Sequence, residues 1–285
     1  MNEMNYIVVA VLTLGGVALL AAVVLYIVSR RFAVKEDPRV KDVQECLPGA
    51  NCGGCGFAGC AALAEALVKG ADKGSLDGLR CPVGGDEAMG KIADVLGMAA
   101  QAAEPMVAVV RCNGSCDKRG KVAVYEGLHT CAAVNAAGAG ESGCGYGCLG
   151  CGDCADACQF GGIGINPATG LPEVDEQMCT GCGSCAKVCP RHVIELRKKG
   201  PKGRRVYVGC VNQDRGPIAR KSCQAACIGC GKCEKVCPFG AITVENNLSY
   251  IDYNKCRMCT KCVAECPTGA IVKVNFPIKK KEAEA

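Results

Sequence analysis

The chain lacks the side chains from which ordinary hydrophobic cores and many metal sites are built. It has no tryptophan, 4% aromatic residues and only two histidines, His129 and His192. Two histidines exclude a series of histidine-based metal sites. The scarcity of aromatic residues means that something other than large apolar side chains must stabilise the fold. The formal match to Gly-x-Gly-x-x-Gly at residues 138–143 lies between cysteines in a Gly/Ala segment, so it does not predict an NAD or flavin site.

Cysteine is abundant instead, with 27 residues, beside 38 glycines. The spacing Cys-x2-Cys-x2-Cys-x3-Cys occurs four times. The four runs are Cys148, Cys151, Cys154 and Cys158; Cys179, Cys182, Cys185 and Cys189; Cys227, Cys230, Cys233 and Cys237; and Cys256, Cys259, Cys262 and Cys266. Proline follows the last cysteine in three of them, and Gln159 replaces it in the first. This spacing is the ligand pattern of bacterial two-cluster ferredoxins, so it predicts several [4Fe–4S] clusters and electron transfer.

A single run cannot enclose a cube of iron and sulfide, so the fourth cysteine of each run is expected to bind the neighbouring cluster. We number the predicted ligand sets as sites 2 to 5. Site 2 is Cys148, Cys151, Cys154 and Cys189; site 3 is Cys179, Cys182, Cys185 and Cys158; site 4 is Cys227, Cys230, Cys233 and Cys266; and site 5 is Cys256, Cys259, Cys262 and Cys237. Structural zinc is the weaker alternative, because zinc sites usually use two separated pairs of ligands.

The N-terminus contains a long apolar segment. Residues 7–28 carry no charge, and Arg30 and Arg31 follow directly. As a helix these 22 residues span about 33 Å, enough to cross a hydrocarbon core of roughly 30 Å. The alternative, a cleaved signal peptide, would have a basic leading region and a shorter apolar stretch. The positive flank predicts that the rest of the chain lies in the cytoplasm, where disulfides are rare and cysteines remain available for metals.

Two further groups of cysteines are candidate ligands. Site 1 is Cys52, Cys55, Cys60 and Cys81, within a glycine-rich segment whose backbone can approach a cofactor closely; a zinc knuckle is the alternative. A sixth set is Cys112, Cys116, Cys131 and Cys144. The second half of the chain has only Cys210 and Cys223 at related places, so Cys144 and Cys223 could instead be buried thiols or replace a neighbouring ligand. Cys46 is expected to be a free thiol.

Residues 106–275 contain an internal repeat. Residues 144–165 align with residues 223–244 at an offset of 79, and a Val-rich segment precedes a cysteine in each copy, before Cys112 and before Cys210. We therefore predict an α+β fold of small domains held together by iron–sulfur clusters. The predicted units are a transmembrane anchor (1–29), a connector (30–45), a 4Fe-4S domain (46–97), a linker (98–105), a first ferredoxin module (106–200), a second module (201–275) and a disordered tail (276–285).

Local patterns predict several elements within these units. Residues 61–69 and 86–96 are expected to be helices, with Gly70 ending the first. Residues 241–244 and 250–252, joined around Asn246 and Asn247, are expected to form a hairpin. Residues 191–221 carry ten Lys or Arg against two acidic residues, a net charge of +8. This segment is either the solvated tip of a hairpin around residues 200–203 or, through residues such as Arg204 and Arg205, a docking face for an acidic electron carrier.

The combination resembles the B subunit of the Rnf complex, an ion-translocating ferredoxin:NAD⁺ oxidoreductase. The resemblance is carried by one N-terminal apolar helix, the segment LPGANCGGCGFAGC with Cys81-Pro82, and the ferredoxin runs. The resemblance covers nearly the whole chain. It is to the long version of this subunit, which has two ferredoxin modules. It implies an electron-transfer subunit that takes electrons from reduced ferredoxin, has no substrate-converting site of its own, and works with membrane subunits and flavin- or NAD-binding subunits.

The resemblance also implies a place in the cell: a single-pass protein of the bacterial cytoplasmic membrane with its soluble part on the cytoplasmic side. The alternative is a polyferredoxin subunit of another membrane-bound oxidoreductase, of the hydrogenase or dehydrogenase type. A zinc-rich nucleic-acid-binding protein is disfavoured, because the positive charge is local and no aromatic residues are interleaved with it. We expect five [4Fe–4S] clusters, with the sixth set as a further candidate.

Removing iron should unfold most of the soluble part, because small domains with few large apolar side chains depend on their metal cofactors. Circular dichroism of anaerobic protein before and after chelation would measure the loss of secondary structure. A cluster-free preparation that retains its secondary structure would contradict this expectation.

Overall fold

The computed structural model describes residues 3–31, 37–99, 104–138 and 140–277. Ten α-helices and eight β-strands lie in these ranges. The helices are α1 (Glu3–Arg31), α2 (Pro38–Cys46), α3 (Cys60–Asp72), α4 (Gly85–Leu96), α5 (Cys131–Ala137), α6 (Asp153–Asp156), α7 (Ser184–Val188), α8 (Gly216–Ser222), α9 (Lys232–Val236) and α10 (Lys261–Glu265). The strands are β1 (Met106–Val110), β2 (Ile163–Asn166), β3 (Leu171–Val174), β4 (Ile194–Lys198), β5 (Arg205–Val208), β6 (Ile242–Glu245), β7 (Leu248–Ile251) and β8 (Ile271–Val274). Most of the predicted tail and the middle of the predicted linker lie outside the described residues.

Helix α1 contains the apolar N-terminal segment. By length and composition, residues 8–31 are the one stretch of the described chain that could cross a membrane. Its large apolar side chains are exposed, including Leu12, Leu14 and Leu25, each more than 60% accessible. A helix that is apolar on all sides and not covered by protein is suited to a lipid environment.

Helices α2, α3 and α4 form a small helical domain. Val43, Leu63, Leu67 and Ile92 are fully buried and pack together at its centre. The two helices predicted here are confirmed, but Gly70 does not end the first. Helix α3 continues to Asp72, and Gly70 is buried in it. Residues 38–46, which the sequence analysis placed mostly in a connector, form α2 of this domain.

The two ferredoxin modules share one topology. In the first, β1 pairs antiparallel with β4 and β2 with β3; in the second, β5 pairs with β8 and β6 with β7. The expected hairpin is the β6–β7 pair, and Asn246 and Asn247 have positive φ at its turn, as a tight two-residue turn requires. In each module the outer pair joins the first and last strands and the inner hairpin lies between them. Mixed helix and strand content agrees with the predicted α+β class.

Residues 200–203 are not the tip of a hairpin, since β4 and β5 pair with β1 and β8 and not with each other. They connect the two modules. Beside them, Arg197 of β4 is 1% exposed, and its guanidinium lies 5.3–5.8 Å from the ring centres of Tyr207, Tyr250 and Tyr253. All three rings belong to the second module. A desolvated cation against aromatic faces contributes about 2 kcal/mol or more, so Arg197 helps to fix the modules to one another.

A second contact between the modules involves Glu176 of the first and Arg205 and Asn275 of the second. The Glu176 carboxylate forms an ion pair with Arg205 and accepts a 3.0 Å hydrogen bond from Asn275 Nδ2. Burial acts to raise the pKa of Glu176, but the hydrogen bond and charge of Arg205 hold it below its usual value. Arg205 is 6% exposed, so it is an interface residue and not part of a solvated docking face.

Replacing Glu176 with Gln should loosen the module interface, because Arg205 would keep its buried charge and lose its partner. We expect a loss of about 2 kcal/mol, the usual value of a hydrogen bond to a charged group. The urea midpoint for loss of visible cluster absorption, measured without oxygen, would report it. Glu173→Gln is the matched control, since Glu173 accepts only an exposed hydrogen bond from Asn166. Equal midpoints for the two variants would contradict the assignment.

Candidate iron–sulfur sites

Each ferredoxin run turns twice through the left-handed region of backbone conformation. The positive φ values fall two and four residues after the first cysteine of every run, at Gly150 and Gly152, Gly181 and Gly183, Gly229 and Gly231, and Met258 and Thr260. Glycine adopts this conformation at no steric cost, and the fourth run adopts it with larger residues. These turns curl the backbone so that the first three thiols of the run face one point.

In the second module, the thiols of site 4 surround a small cavity. Its lining includes Cys227, Cys230, Cys233 and Cys266. At site 5, Cys262 interacts electrostatically with Cys256, Cys259 and Cys237. The structure therefore brings the fourth cysteine of each run to the other run, as the crossed arrangement requires. Cys233 and Cys262 also interact with each other, so the two sites are neighbours.

The first module repeats this arrangement. Cys148, Cys154 and Cys189 of site 2 line a small cavity. At site 3, Cys185 interacts with Cys179, Cys182 and Cys158, and also with Cys154 of site 2. Gln159, which stands where the other runs have proline, follows Cys158 without displacing it from this group. Sites 2 and 3 are thus neighbours in the same way as sites 4 and 5.

Cys131 was predicted as a ligand of the sixth set, but it lies at site 2. It lines the same cavity as Cys148 and interacts with Cys151 and Cys154. Asp153 holds the segment in place by accepting hydrogen bonds from the backbone N–H groups of Cys131 and Ala132 at 2.8 and 3.2 Å. Five thiols therefore surround site 2. No feature of the sequence spacing indicated this position for Cys131.

Burial disfavours the charged, thiolate form of the cysteines at these sites. Burial raises the pKa of Cys148 and of Cys262 to about 12. A buried thiolate needs a cation and hydrogen-bond donors to compensate for its lost hydration. Donors are present: the backbone N–H of Met258 lies 3.4 Å from Cys256 Sγ, and that of Gly162 lies 3.3 Å from Cys158 Sγ. Such N–H groups also tune cluster potentials.

Site 1 lies in the small helical domain. Cys81 interacts with Cys55 and Cys60, and the N–H of Gly84 donates to Cys81 Sγ at 3.3 Å. Cys52 lies in the same loop as Cys55. Asn51 shapes this loop, because its Oδ1 accepts a 2.8 Å hydrogen bond from the N–H of Cys60.

The loop of site 1 contacts the loop of site 3. The Lys187 ammonium donates a 2.8 Å hydrogen bond to the carbonyl of Gly53. A methyl group on Gly54 would lie 2.8 Å from Cys182 Cβ, closer than side chains normally approach. Glycine at position 54 therefore allows the two cysteine-bearing loops to meet. Sites 1 and 3 are neighbours as a result.

The structure does not bring the four cysteines of the predicted sixth set together. Cys116 is exposed and lies beside Gly170, and Cys131 lies at site 2. Cys112 and Cys144 instead share a cavity with Cys210 and Cys223. Cys144 and Cys223 were the pair expected as buried thiols or replacement ligands, and no role was predicted for Cys210. The sequence signal that could have indicated this group is the repeat itself, because Cys210 and Cys223 are the repeat partners of Cys112 and Cys144.

The residues present fit [4Fe–4S] clusters at sites 1 to 5. Each site joins cysteines from one close-spaced run with a cysteine from elsewhere, next to backbone N–H donors. Within the described residues, no group of three or more His, Cys, Asp or Glu side chains converges on a single metal ion. The fold and sites define a multi-cluster iron–sulfur electron-transfer protein.

Comparison with known sequence families agrees with this class. A family described as "Putative Fe-S cluster" matches residues 47–75. The 4Fe-4S dicluster domain matches three overlapping segments, residues 147–193, 178–241 and 226–270. The middle segment would combine runs from different modules. The structure favours combination within modules, because Cys185 interacts with Cys158 and Cys262 with Cys237.

Three curated relatives cover most of the chain. The B subunit of the Na⁺-translocating ferredoxin:NAD⁺ oxidoreductase complex of Acetobacterium woodii is 46% identical over 89% of this chain and 74% of its own length. The B subunit of the proton-translocating ferredoxin:NAD⁺ oxidoreductase complex of Clostridium ljungdahlii is 44% identical, over 89% and 87%. The B subunit of the ion-translocating oxidoreductase complex of Methanosarcina acetivorans is 41% identical, over 87% and 90%. The chain belongs to the B-subunit family of the ion-translocating ferredoxin:NAD⁺ oxidoreductase (Rnf) complexes.

Replacing Cys81 with Ala should remove about four iron and four sulfide per chain, because site 1 would lose one of its four ligands. Iron and sulfide analysis of anaerobic protein measures the loss. Cys46→Ala is the control: Cys46 packs against the same small core but belongs to none of the sites. An unchanged iron content in the Cys81 variant, or an equal loss in both variants, would contradict the ligand set.

Proposed function

We propose that this chain takes electrons from reduced ferredoxin and relays them toward the membrane part of an ion-translocating oxidoreductase. When bound, [4Fe–4S] clusters supply one-electron transfer at low potential. The chain's own residues hold the centres at fixed positions, shield them from water and provide N–H donors to the thiolates. The observation that carries the proposal is the series of neighbouring cysteine sites that leads from the helical domain after α1 into both ferredoxin modules.

The far end of this series offers a docking place for an electron donor. An open cleft lies against Cys256 of site 5. Seven Lys or Arg side chains and one acidic residue, Glu104, line it. Arg197 and Arg205 are buried and serve the module interface, whereas Lys202 and Arg257 are exposed. Exposed positive charge beside a redox site steers an acidic protein carrier to that site and raises its association rate.

The other end of the series is joined to the membrane helix. Helix α1 is followed by the helical domain of site 1, and Arg30 and Arg31 end the helix. We infer a single span with the soluble part on the cytoplasmic side, since positive residues flank cytoplasmic ends of membrane helices. Membrane subunits and flavin- or NAD-binding subunits would then receive the electrons. Co-purification of such subunits with the full chain tests this assignment, and a nickel-containing partner would instead favour a hydrogenase assembly.

Reversing the charges of Lys202 and Arg257 with a double substitution to Glu should slow reduction of the full chain by reduced ferredoxin. We expect a fall of roughly 10-fold in the second-order rate constant at low salt, because electrostatic steering changes association rates by this order. The difference should shrink above physiological ionic strength. Stopped-flow absorbance across a salt series measures it.

The control is a double reversal of the same charge, Lys41→Glu with Lys73→Glu, on exposed positions of the helical domain. It should leave the rate within about twofold of the unmodified protein, since steering acts at the docking face. Equal slowing in both double variants would place the effect in net charge and overturn the docking site.

A further inference from the structure

A further cysteine-lined cavity lies between the two ferredoxin modules. It is similar in size to the cavities at sites 2 and 4. Its lining contains Cys112 and Cys144 of the first module and Cys210 and Cys223 of the second. Cys144, Cys210 and Cys223 are buried, and Cys112 is partly buried. The cavity is thus enclosed by two thiols from each module.

The four cysteines are related by the internal repeat. Cys112 and Cys210 each stand two residues after the end of the first strand of their module, and the strand ends are joined by a 2.9 Å hydrogen bond from Asn113 N to the carbonyl of Gly209. Cys144 and Cys223 each stand four residues before a ferredoxin run. The repeat therefore places equivalent thiols on opposite sides of one cavity.

The backbone allows these thiols to converge. A methyl group on Gly114 would lie 3.0 Å from Cys223 Sγ and 3.8 Å from Cys112 Sγ. One on Gly147 would lie 3.4 Å from Cys144 Sγ and 3.7 Å from Cys112 Sγ. The sulfur atoms of Cys112, Cys144 and Cys223 are therefore close to one another, around two glycines that leave space for them.

Each of the four thiols also has an N–H donor. Cys148 N donates to Cys112 Sγ at 3.4 Å, and Asn212 Nδ2 donates to Cys144 Sγ at 3.5 Å. Cys210 Sγ accepts from Asn212 N at 3.4 Å, and Cys223 accepts from Ala225 N. The donors to Cys210 and Cys223 stand two residues after the cysteine, as Met258 does for Cys256 at site 5. Thiolate ligands of clusters are stabilised in this way.

We propose that Cys112, Cys144, Cys210 and Cys223 bind a sixth [4Fe–4S] cluster that bridges the two ferredoxin modules. Asn212 supports this site: it is 1% exposed, and its side chain donates to Cys144 while its Oδ1 accepts from Asp214 N at 2.6 Å. An amide N–H stabilises a thiolate more strongly than a neutral thiol, so this contact suits a charged ligand at Cys144.

With the bridging site included, the six cysteine sites form a continuous series in which each site lies beside the next. Cys112 is adjacent to Cys148 of site 2, and Cys210 interacts with Cys227 of site 4. The order is site 5, site 4, bridging site, site 2, site 3 and site 1. This step rests on the function proposed above. One electron passes from the second module through the bridging cluster to the first module, and no bond is made or broken.

The test compares variants of the full chain, each purified without oxygen and analysed for iron and sulfide. Cys210→Ala and Cys223→Ala should each lose about four iron per chain, and the double variant should lose the same four and not eight. Cys116→Ala is the control and should lose none, because Cys116 is exposed. Loss of iron in the Cys116 variant and not in the Cys210 and Cys223 variants would restore the ligand set predicted from sequence and overturn the bridging site, as would no loss in any variant.

A second measurement tests the proposal even if the cysteine variants do not fold. Asn212→Ala removes a donor to Cys144 and should lower the midpoint potential of one EPR signal while the iron content stays unchanged, because the reduced cluster loses stabilisation. Unchanged potentials of all signals would overturn the proposal.

Stopped-flow reduction of the Cys223→Ala variant by ferredoxin distinguishes the bridging site from the proposed function. If only the clusters of the first module are reduced slowly, the result supports the bridging site. If ferredoxin does not reduce the unmodified chain, the result contradicts only the proposed function.

Discussion

In the two ferredoxin modules, cysteine sulfur occupies much of the core that apolar side chains fill in ordinary domains, so we expect their fold to depend on what those sulfur atoms bind. The cores of both ferredoxin modules are built around buried cysteines, together with short strands and a few valines and isoleucines. Buried thiols that must act as ligands lose hydration, and only a cationic partner with hydrogen-bond donors compensates for it. The same groups therefore determine stability and function, so neither can be changed without affecting the other.

The spacing of the cysteines predicted most of the sites because it reflects local backbone geometry. A run of seven residues can present three thiols to one point only by turning twice through the left-handed region, and the glycines at positions such as 229 and 231 permit these turns. The exchange of the fourth cysteine between runs also follows from the repeat. In the structure Cys158 lies with the second run and Cys237 with the fourth. The cysteines that share a site in this way are at most about 40 residues apart in the sequence.

The contacts between the two modules could not be predicted from the spacing of the cysteines. The bridging group combines Cys112 with Cys210, 98 positions apart in the chain. Sequence proximity favoured Cys116 and Cys131 instead, which the fold directs to an exposed position and to site 2. The charge of residues 191–221 was misleading only in part, at Arg197 and Arg205, for a related reason. Arg197 and Arg205 resemble solvated residues in the sequence, but in the structure the tyrosines and Glu176 of the module interface surround them.

Internal duplication explains why a bridging site should exist at all. Two copies of one module, packed so that the ends of their first strands lie side by side, bring equivalent residues close to one another. A cysteine at such a position meets its repeat partner, so two cysteines per module give four thiols in one place. The separation of redox centres limits the rate of electron transfer, and a gap between modules would be the slowest step. Ligands drawn from both modules fill that gap and at the same time hold the modules in the alignment on which the transfer depends.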